Sequence, residues 1–230
     1  MHIGIIGGIG PSSTELYYRE LVRQHKSAGL TLELTIVHAD IQQLTTNLLQ
    51  NKRAEQAAIF QGFIEKLYCC GATHVVIPSL AGHFCLQELI QLSPIPIISA
   101  LDCLKKHTQH NHYSKVGILG TLPTMQTGVF GCFNQDEYVV PDRHDQIVAA
   151  ETYRRFARNG YASEVDKADI FSIGQKLVEQ QSADIVFLAG TDFFLAFDGQ
   201  ECGFHAVDCA QLHISDIIAQ HMLFASRNES

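Results

Sequence analysis

Short runs of apolar, often β-branched residues alternate along the chain with longer stretches in which apolar residues recur at helical spacing. The short runs are typical of buried strands and the longer stretches of amphipathic helices. Their alternation predicts parallel strands joined by crossover helices, which is an α/β fold. We predict strands at His2–Gly8, Leu32–His38, His74–Ser79, Ile95–Ser99, Lys115–Gly120, Glu137–Val140, Asp184–Gly190 and His205–Val207.

The first predicted helix follows a glycine-rich turn after the first strand. Ser12 or Ser13 is expected to cap this helix, because a hydroxyl at the N-cap accepts a hydrogen bond from a free amide of the first turn. Leu16, Leu21 and Val22 recur at helical spacing, so we expect all three to face the core.

Two segments of the first half recur in the second half. Val116–Gly120 resembles Ile3–Gly7, with both glycines of the pattern repeated 113 residues later. Ile185–Gly190 resembles His74–Ser79 at an offset of 111 residues. Two echoes in the same order at nearly the same offset indicate an internal duplication.

The duplication predicts two pseudo-symmetric lobes, each a parallel sheet flanked by helices. We place the first lobe at residues 1–112 and the second at 113–230, with a C-terminal helix that can pack back on the first lobe. Ligands of such sheets bind beyond the carboxyl ends of the strands, so two like lobes predict one cleft between them. The residues that end the echoing strands are therefore the candidate site residues.

Composition narrows the classes of function. The chain has 230 residues, 46% of them apolar, and a net charge of −8 with 16 scattered Lys and Arg residues. It can bury a substantial core, and it has no basic stripe for a nucleic-acid backbone. The sequence shows no signal peptide and no apolar stretch of the ~18 residues that a membrane span needs, so we expect a cytoplasmic protein.

The seven cysteines and 12 histidines do not form a metal-binding pattern. The cysteine count is odd and no C-x-x-C pair occurs, which favours reduced thiols. No H-x-x-x-H spacing occurs on a predicted helix. We therefore expect no metal and no disulfide framework.

The glycine-rich turn Gly4–Gly10 allows more than one interpretation. Glycines there could bring amides close to a dinucleotide phosphate, but Ser13 stands where the third glycine of that fingerprint belongs. A turn whose amides around Gly8 and Gly10 hold a carboxylate is a second interpretation, and a purely structural turn is a third. Thr121 and Thr124 occupy the equivalent turn of the second half, where one hydroxyl caps a helix and another can bind an anion.

Several landmarks together resemble the aspartate/glutamate racemase family. They are, in chain order, Gly7–Pro11, Gly71–Pro78, Val116–Thr121, Gly190–Asp192 and His205–Asp208. The resemblance extends from Ile3 to about Ala225. It implies a two-lobed fold, commonly a homodimer, that holds a small acidic amino acid between its lobes without pyridoxal phosphate, metal or nucleotide.

The resemblance also places the family's catalytic motifs. The first, Pro-Cys-Asn-Thr-Ala-His, corresponds to Pro78–His83, so Ser79 replaces the cysteine and His83 is retained. The second, Gly-Cys-Thr-Glu, corresponds to Ala189–Asp192, so Gly190 replaces the cysteine while Thr191 and an acid, Asp192, remain. Thr45 stands at a substrate-binding arginine position with Arg53 beyond it, and Arg158 stands where a substrate-facing lysine is expected.

The missing thiols bear directly on the chemistry. Two-base racemisation needs an acid or base on each face of the substrate, and a thiol with a pKa near 8.5 can be tuned for this. Gly190 offers no side chain, and Ser79 is useful only with an adjacent base such as His83. We do not expect Cys85 or Cys202 to substitute. We expect Phe193 or the backbone to fill the space beside Gly190.

Three hypotheses for function follow. In the first, the chain binds a small carboxylate or amino acid, and classical two-thiol racemisation is doubtful. In the second, it is an isomerase or lyase that uses Ser79, His83 and Asp192 in an altered mechanism. The third hypothesis is a non-catalytic sensor or interaction protein. Leu80, Ala81 and Phe193 favour a less polar cleft, whereas Thr121, Thr124 and Thr191 favour a retained anion site.

Overall fold

A computed structural model describes residues 1–228. The chain divides into two compact units, one formed by Met1–Ala100 with the segment from His213 onwards, the other by Leu101–Leu212. The strands are β1 (His2–Gly7), β2 (Glu33–His38), β3 (His74–Val76), β4 (Ile97–Ile98), β5 (Val116–Gly120), β6 (Tyr138–Val139), β7 (Ile185–Ala189) and β8 (Ala206–Asp208).

Helices connect the strands in both units. They are α1 (Pro11–Ser27), α2 (Ile41–Leu49), α3 (Arg53–Cys69), α4 (Leu86–Leu92), α5 (Ala100–His110), α6 (Leu122–Gln126), α7 (Gly128–Gly131), α8 (Arg143–Asn159), α9 (Glu164–Gln181), α10 (Phe194–Phe197) and α11 (Cys209–Asn228), with a 3₁₀ helix at Ala81–Cys85. Along the described chain, no helix combines the length and apolar character that crossing a membrane requires.

The eight predicted strands are confirmed, and the α/β fold with them. Each unit contains one four-stranded sheet with parallel pairing, flanked by helices. Several strands are shorter than predicted. β3 ends at Val76 because Pro78 has no amide hydrogen for a further ladder bond.

The sequence repeat corresponds to a repeat in topology. The first sheet has the order β2-β1-β3-β4 and the second β6-β5-β7-β8, which is the same arrangement of strands in chain order. The repeated glycines have matching partners. A β-carbon on Gly4 would lie 3.0 Å from the Leu67 side chain of α3, and one on Gly117 would lie 3.2 Å from Leu177 of α9. The glycines recur because each lets a helix pack closely on its strand.

The start of α1 differs from the prediction. Neither Ser12 nor Ser13 is the N-cap, which is Gly10 with φ 125°, and no side chain caps the helix. Pro11 fixes the start, because its ring suits the first helical position and its missing amide costs nothing there. Val22 is also not a core residue: it is 43% exposed, whereas Leu16 and Leu21 are buried.

The C-terminal helix α11 is joined to the first unit by histidines. His213 Nε2 donates to the carbonyl of Ile98 (2.9 Å), so its Nδ1 accepts from the Tyr17 hydroxyl (2.9 Å). Burial lowers the pKa of His213 to about 3, which keeps the ring neutral. His221 Nδ1 lies 2.8 Å from His25 Nε2. The sequence-based lobe boundary at residues 112 and 113 stays a prediction.

Candidate functional site

The first motif follows β3 and leads into the 3₁₀ helix. Ser79 is 6% exposed and His83 is 1% exposed. His83 Nδ1 donates to the carbonyl of Ser79 (2.8 Å), and its Nε2 accepts from the amide of Ala100 (3.1 Å). Both ring nitrogens therefore hold backbone groups, and His83 links the turn after β3 to the start of α5. Within residues 1–228, no side-chain base bonds the Ser79 hydroxyl.

The second motif follows β7, and Tyr153 of α8 lies against it. A β-carbon built on Gly190 would lie 2.5 Å from Tyr153 Cε2 and 3.1 Å from the Tyr153 hydroxyl oxygen. Real β-carbons do not approach other heavy atoms so closely, so the phenol end of Tyr153 fills the space of any side chain at position 190. The expectation that Phe193 fills this space is wrong: Phe193 is fully buried and packs behind Tyr153, with ring centroids 5.0 Å apart.

Polar contacts hold the Tyr153 hydroxyl in place. It donates to Asp192 Oδ2 (2.8 Å), and the Thr191 side chain is a further hydrogen-bond partner. Burial, with the negative charge of Asp192 beside it, raises the pKa of Tyr153 well above its ordinary value. The phenol is therefore a neutral hydrogen-bonding group at neutral pH and not a base.

Asp208 is a second carboxyl group at this end of the sheet, one that the motif analysis did not single out. It is the last residue of β8, and its Oδ1 accepts from the amides of Ala210 (2.7 Å) and Gln211 (3.1 Å) at the start of α11. Burial raises the pKa of Asp208 to about 6, and the nearby Asp198 and Asp192 charges add to the rise.

In the glycine-rich turn after β1, backbone groups form hydrogen bonds with the nearby Thr14 side chain. The Gly8 amide donates to the Thr14 hydroxyl (3.0 Å), which in turn donates to the Gly10 carbonyl (3.1 Å). Gly8 and Gly10 have φ values of 87° and 125°, a region that favours glycine. A β-carbon on Gly8 would lie 2.5 Å from the Ala39 carbonyl oxygen. These contacts account for the glycines structurally.

The threonines after β5 are also engaged. Thr121 caps α6 by accepting from the Thr124 amide. Thr124 is 1% exposed, and its hydroxyl lies 2.8 Å from the Thr121 carbonyl and 3.1 Å from the Ala189 carbonyl. Thr124 thus joins the ends of β5 and β7 inside the core.

The three outlying candidates lie on helices. Thr45 is exposed on α2 and its hydroxyl donates to the carbonyl of Ile41 (2.8 Å). Arg53 opens α3, and its Nε donates to Asn51 Oδ1 (3.1 Å). Arg158 is exposed in the last turn of α8, about 140° around the helix axis from Tyr153 at 100° per residue. The structure does not bring Arg158 to the side of α8 that meets Gly190.

Cys85 and Cys209 are buried, and Cys132 is half-buried. Burial raises the pKa of Cys85 to about 12 and that of Cys132 to about 11, and it raises the pKa of Cys209 well above its ordinary value. Such thiols are poor nucleophiles, because only the thiolate reacts. Cys202 is half-buried, and its thiol lies 3.2 Å from the Phe204 carbonyl oxygen.

One group of side chains in the described chain has metal-ligand composition, at the start of α8. It comprises Asp142, His144 and Asp145, whose ligating atoms lie within 4.8 Å of one another. Asp142 accepts from the Asp145 amide as the helix N-cap, and Asp145 Oδ2 pairs with Lys176 (2.6 Å). Helix capping and the ion pair therefore account for this group.

The structure thus assembles the second motif within one unit and adds a residue to it. Tyr153 contacts Gly190, Thr191 and Asp192. No sequence pattern singled out Tyr153. The signal available was indirect: a glycine in place of a larger side chain leaves a space that a close-packed interior must fill. Ser79 and Gly190 belong to different units, and their apposition stays a prediction.

The comparisons with known proteins agree with this fold. The Asp/Glu/Hydantoin racemase family model matches residues 6–217, so the chain belongs to this family. A candidate Asp/Glu racemase from Yersinia pestis is 22% identical, with a TM-score of 0.81 over 94% of this chain and 97% of that one. An aspartate racemase homologue from Pyrococcus horikoshii is 21% identical, with a TM-score of 0.78 over 95% and 98% of the two chains.

A glutamate racemase from Francisella tularensis, solved with D-glutamate, is a more distant match. It is 13% identical, with a TM-score of 0.68 over 98% of this chain and 82% of that one. Identities this low show the fold and not the reaction.

Proposed function

We propose that this chain is a divergent racemase-family protein that binds a small carboxylate or amino acid and does not racemise it by the two-thiol route. The contact between Gly190 and Tyr153 carries the proposal. The position that the family resemblance gives to the second thiol has no side chain, and Tyr153 fills the space that one would need.

The chemistry at both motifs supports the same conclusion. Tyr153 is neutral and bonded to Asp192, so it cannot remove an α-proton at neutral pH. Ser79 lacks an activating base, since both nitrogens of His83 are bonded to backbone groups. The altered-mechanism isomerase would need one of these groups in another role, so the contacts favour the loss of two-base chemistry. The binding half of the proposal rests on the family membership, because the family resemblance implies a protein that holds a small acidic amino acid.

Two measurements on the purified wild type test the proposal. In deuterium oxide, we expect no exchange of the α-proton of D- or L-aspartate or glutamate, and we expect titration calorimetry to detect binding of at least one small carboxylate. A family racemase assayed in parallel is the positive control. Sustained exchange or inversion would overturn the loss of racemisation, and absence of binding to any amino or dicarboxylic acid would overturn the binding function.

A further inference from the structure

The end of α3 presents two adjacent cysteines to solvent. Cys69 is the last residue of α3 and Cys70 is its C-cap, and both are exposed. Of the other five cysteines, three are buried and two are half-buried. Cysteine is one of the residue types most often buried in proteins, so two exposed thiols side by side depart from the usual structural role of a free cysteine.

Backbone hydrogen bonds fix the conformation of this corner of the chain. The Cys70 amide donates to the carbonyls of Lys66 and Leu67 (both 3.1 Å). The Gly71 amide donates to the carbonyl of Tyr68 (2.9 Å). Gly71 has φ 88°, the left-handed conformation in which glycine commonly ends a helix. The backbone that carries the two thiols is therefore well defined.

The geometry of this corner disfavours a direct disulfide between the two cysteines. Their α-carbons are separated by one trans peptide and so lie about 3.8 Å apart. Disulfides usually join α-carbons that are about 4.4–6.8 Å apart. In helical backbone, consecutive side chains also diverge by about 100° around the axis. A direct sulfur–sulfur bond would therefore require the end of α3 to unwind, whereas a larger atom bonded to both sulfurs can bridge them.

The two thiols favour a soft acceptor that needs only two protein ligands. Thiolates prefer soft, thiophilic centres. In the part of the chain that the structure describes, no third Cys, His, Asp or Glu side chain is grouped with this pair. A structural zinc ion, which takes four protein ligands, therefore does not fit. A monosubstituted trivalent arsenic centre does fit, because it carries one organic group and forms two further bonds to sulfur.

We propose that Cys69 and Cys70 form a dithiol site for monosubstituted trivalent arsenicals. With an organoarsenic oxide, both S–H bonds break and two As–S bonds form, and the two protons leave with the oxide oxygen as one water molecule. Arsenic stays trivalent, so the step needs no oxidant and no reductant. Because the second thiol reacts within the same molecule, the bridged product should exceed a single arsenic–sulfur contact in affinity by about 10²–10⁴.

This dithiol site is separate from the two motifs of the proposed function. Cys70 precedes β3 and Ser79 follows it, so the pair lies at the opposite end of that strand from the first motif. A β-carbon on Gly71 would lie 3.5 Å from the ring of His2, the first residue of β1, which places this corner at the amino end of β1 as well. A test of the dithiol site is therefore independent of amino-acid binding.

Phenylarsine oxide is the probe, added in equimolar amount to the reduced full chain. We expect a one-to-one adduct in intact-protein mass spectrometry that survives excess β-mercaptoethanol, a monothiol, and is removed by the dithiol dimercaptopropanol. Cys69→Ser and Cys70→Ser should each raise the dissociation constant at least about hundredfold, because either change leaves one thiol. Cys202→Ser is the matched control and should keep the wild-type affinity, since that half-buried thiol has no adjacent cysteine.

Iodoacetamide labelling of the adduct locates the bound arsenic. We expect Cys69 and Cys70 to be protected, and circular dichroism verifies that each serine variant is folded. Absence of an adduct in the presence of the monothiol would overturn the proposal. So would wild-type affinity in either single serine variant, because other thiols must then hold the arsenic. Ready formation of a disulfide between Cys69 and Cys70 with oxidised glutathione, at unchanged helix content, would overturn the geometric argument.

Discussion

At the scale of single residues, Gly190 and Tyr153 constrain each other. Gly190→Ala adds a methyl group where the Tyr153 ring already lies, 2.5 Å from its Cε2 atom. Overpacking of this kind costs about 1–3 kcal/mol. We expect the substitution to lower the free energy of unfolding by that amount in the wild type, and by much less when Tyr153→Ala has removed the ring. Urea unfolding of the four proteins measures the coupling.

Gly62→Ala provides the control for this cycle. Gly62 lies inside α3, and a β-carbon there meets no atom within 4 Å. Alanine is about 1 kcal/mol better than glycine in a helix, so this variant should be as stable as the wild type or more so. An equal cost of Gly190→Ala in the presence and absence of the Tyr153 ring would show that the ring does not fill the space.

At the scale of secondary-structure elements, one carboxylate joins α8 to α9. Asp166 Oδ2 accepts from the amide and hydroxyl of Ser163 (2.9 and 2.7 Å), completing a capping box at the start of α9. Its Oδ1 accepts from Arg155 Nε on α8 (2.6 Å). Burial acts to raise the pKa of Asp166, but the Ser163 hydrogen bonds and the Arg155 charge outweigh it, so the net shift is downward.

This lowered pKa predicts the pH dependence of an Asp166→Ala variant. The folded state favours the ionised Asp166 carboxylate over the protonated acid. Its contribution to stability is therefore present above the ordinary pKa of 3.8 and is lost as the pH falls through the lower pKa of the folded state. Near neutral pH the variant should lose about 1–3 kcal/mol of unfolding free energy, and the loss should shrink towards pH 3.

Chemical denaturation of the wild type and the Asp166→Ala variant from pH 7 to pH 3 measures the difference. Glu164→Ala is the control, because its carboxylate is exposed in the same helical turn and pairs only with Lys167 among the described residues. A stability difference that stays constant on acidification would contradict the ionised capping role of Asp166.

At the scale of the whole molecule, the seven thiols differ in accessibility, with Cys132 and Cys202 half-buried between an exposed and a buried group. Cys69 and Cys70 are exposed at the end of α3, whereas Cys85, Cys103 and Cys209 are buried. We expect iodoacetamide at mildly alkaline pH to modify Cys69 and Cys70 well before the buried thiols, because access and thiolate fraction both limit the reaction. Peptide mass spectrometry over a time course measures the order.

Unfolding in urea is the control, since it should equalise the rates of all seven thiols. Rapid labelling of Cys85 or Cys209 in the folded protein would contradict the burial that raises their pKa values. It would also reopen these thiols as candidates for chemistry.

The sequence by itself determined the strands and their repetition. Buried parallel strands need nearly continuous apolar runs, so periodicity located all eight. Gly4 and Gly117 recur because Leu67 and Leu177 lie so close to them that little room remains for a β-carbon. Each of these steric constraints acts on a single residue, so it remains visible in the sequence. Ser79 and Gly190, which the family resemblance places at cysteine positions, are likewise single residues that can be identified in the sequence.

Only the tertiary structure decided which side chains meet. Periodicity fixes the face on which a residue lies but not its neighbour on another element, so the contact of Tyr153 with Gly190 could not be predicted and Phe193 was the wrong choice. The same limit applies to His83, whose two backbone partners lie on different segments of the chain. Val22 shows the same limit within one helix: its spacing predicted a core position, but the residue is 43% exposed, because packing in three dimensions determines which helix faces remain uncovered.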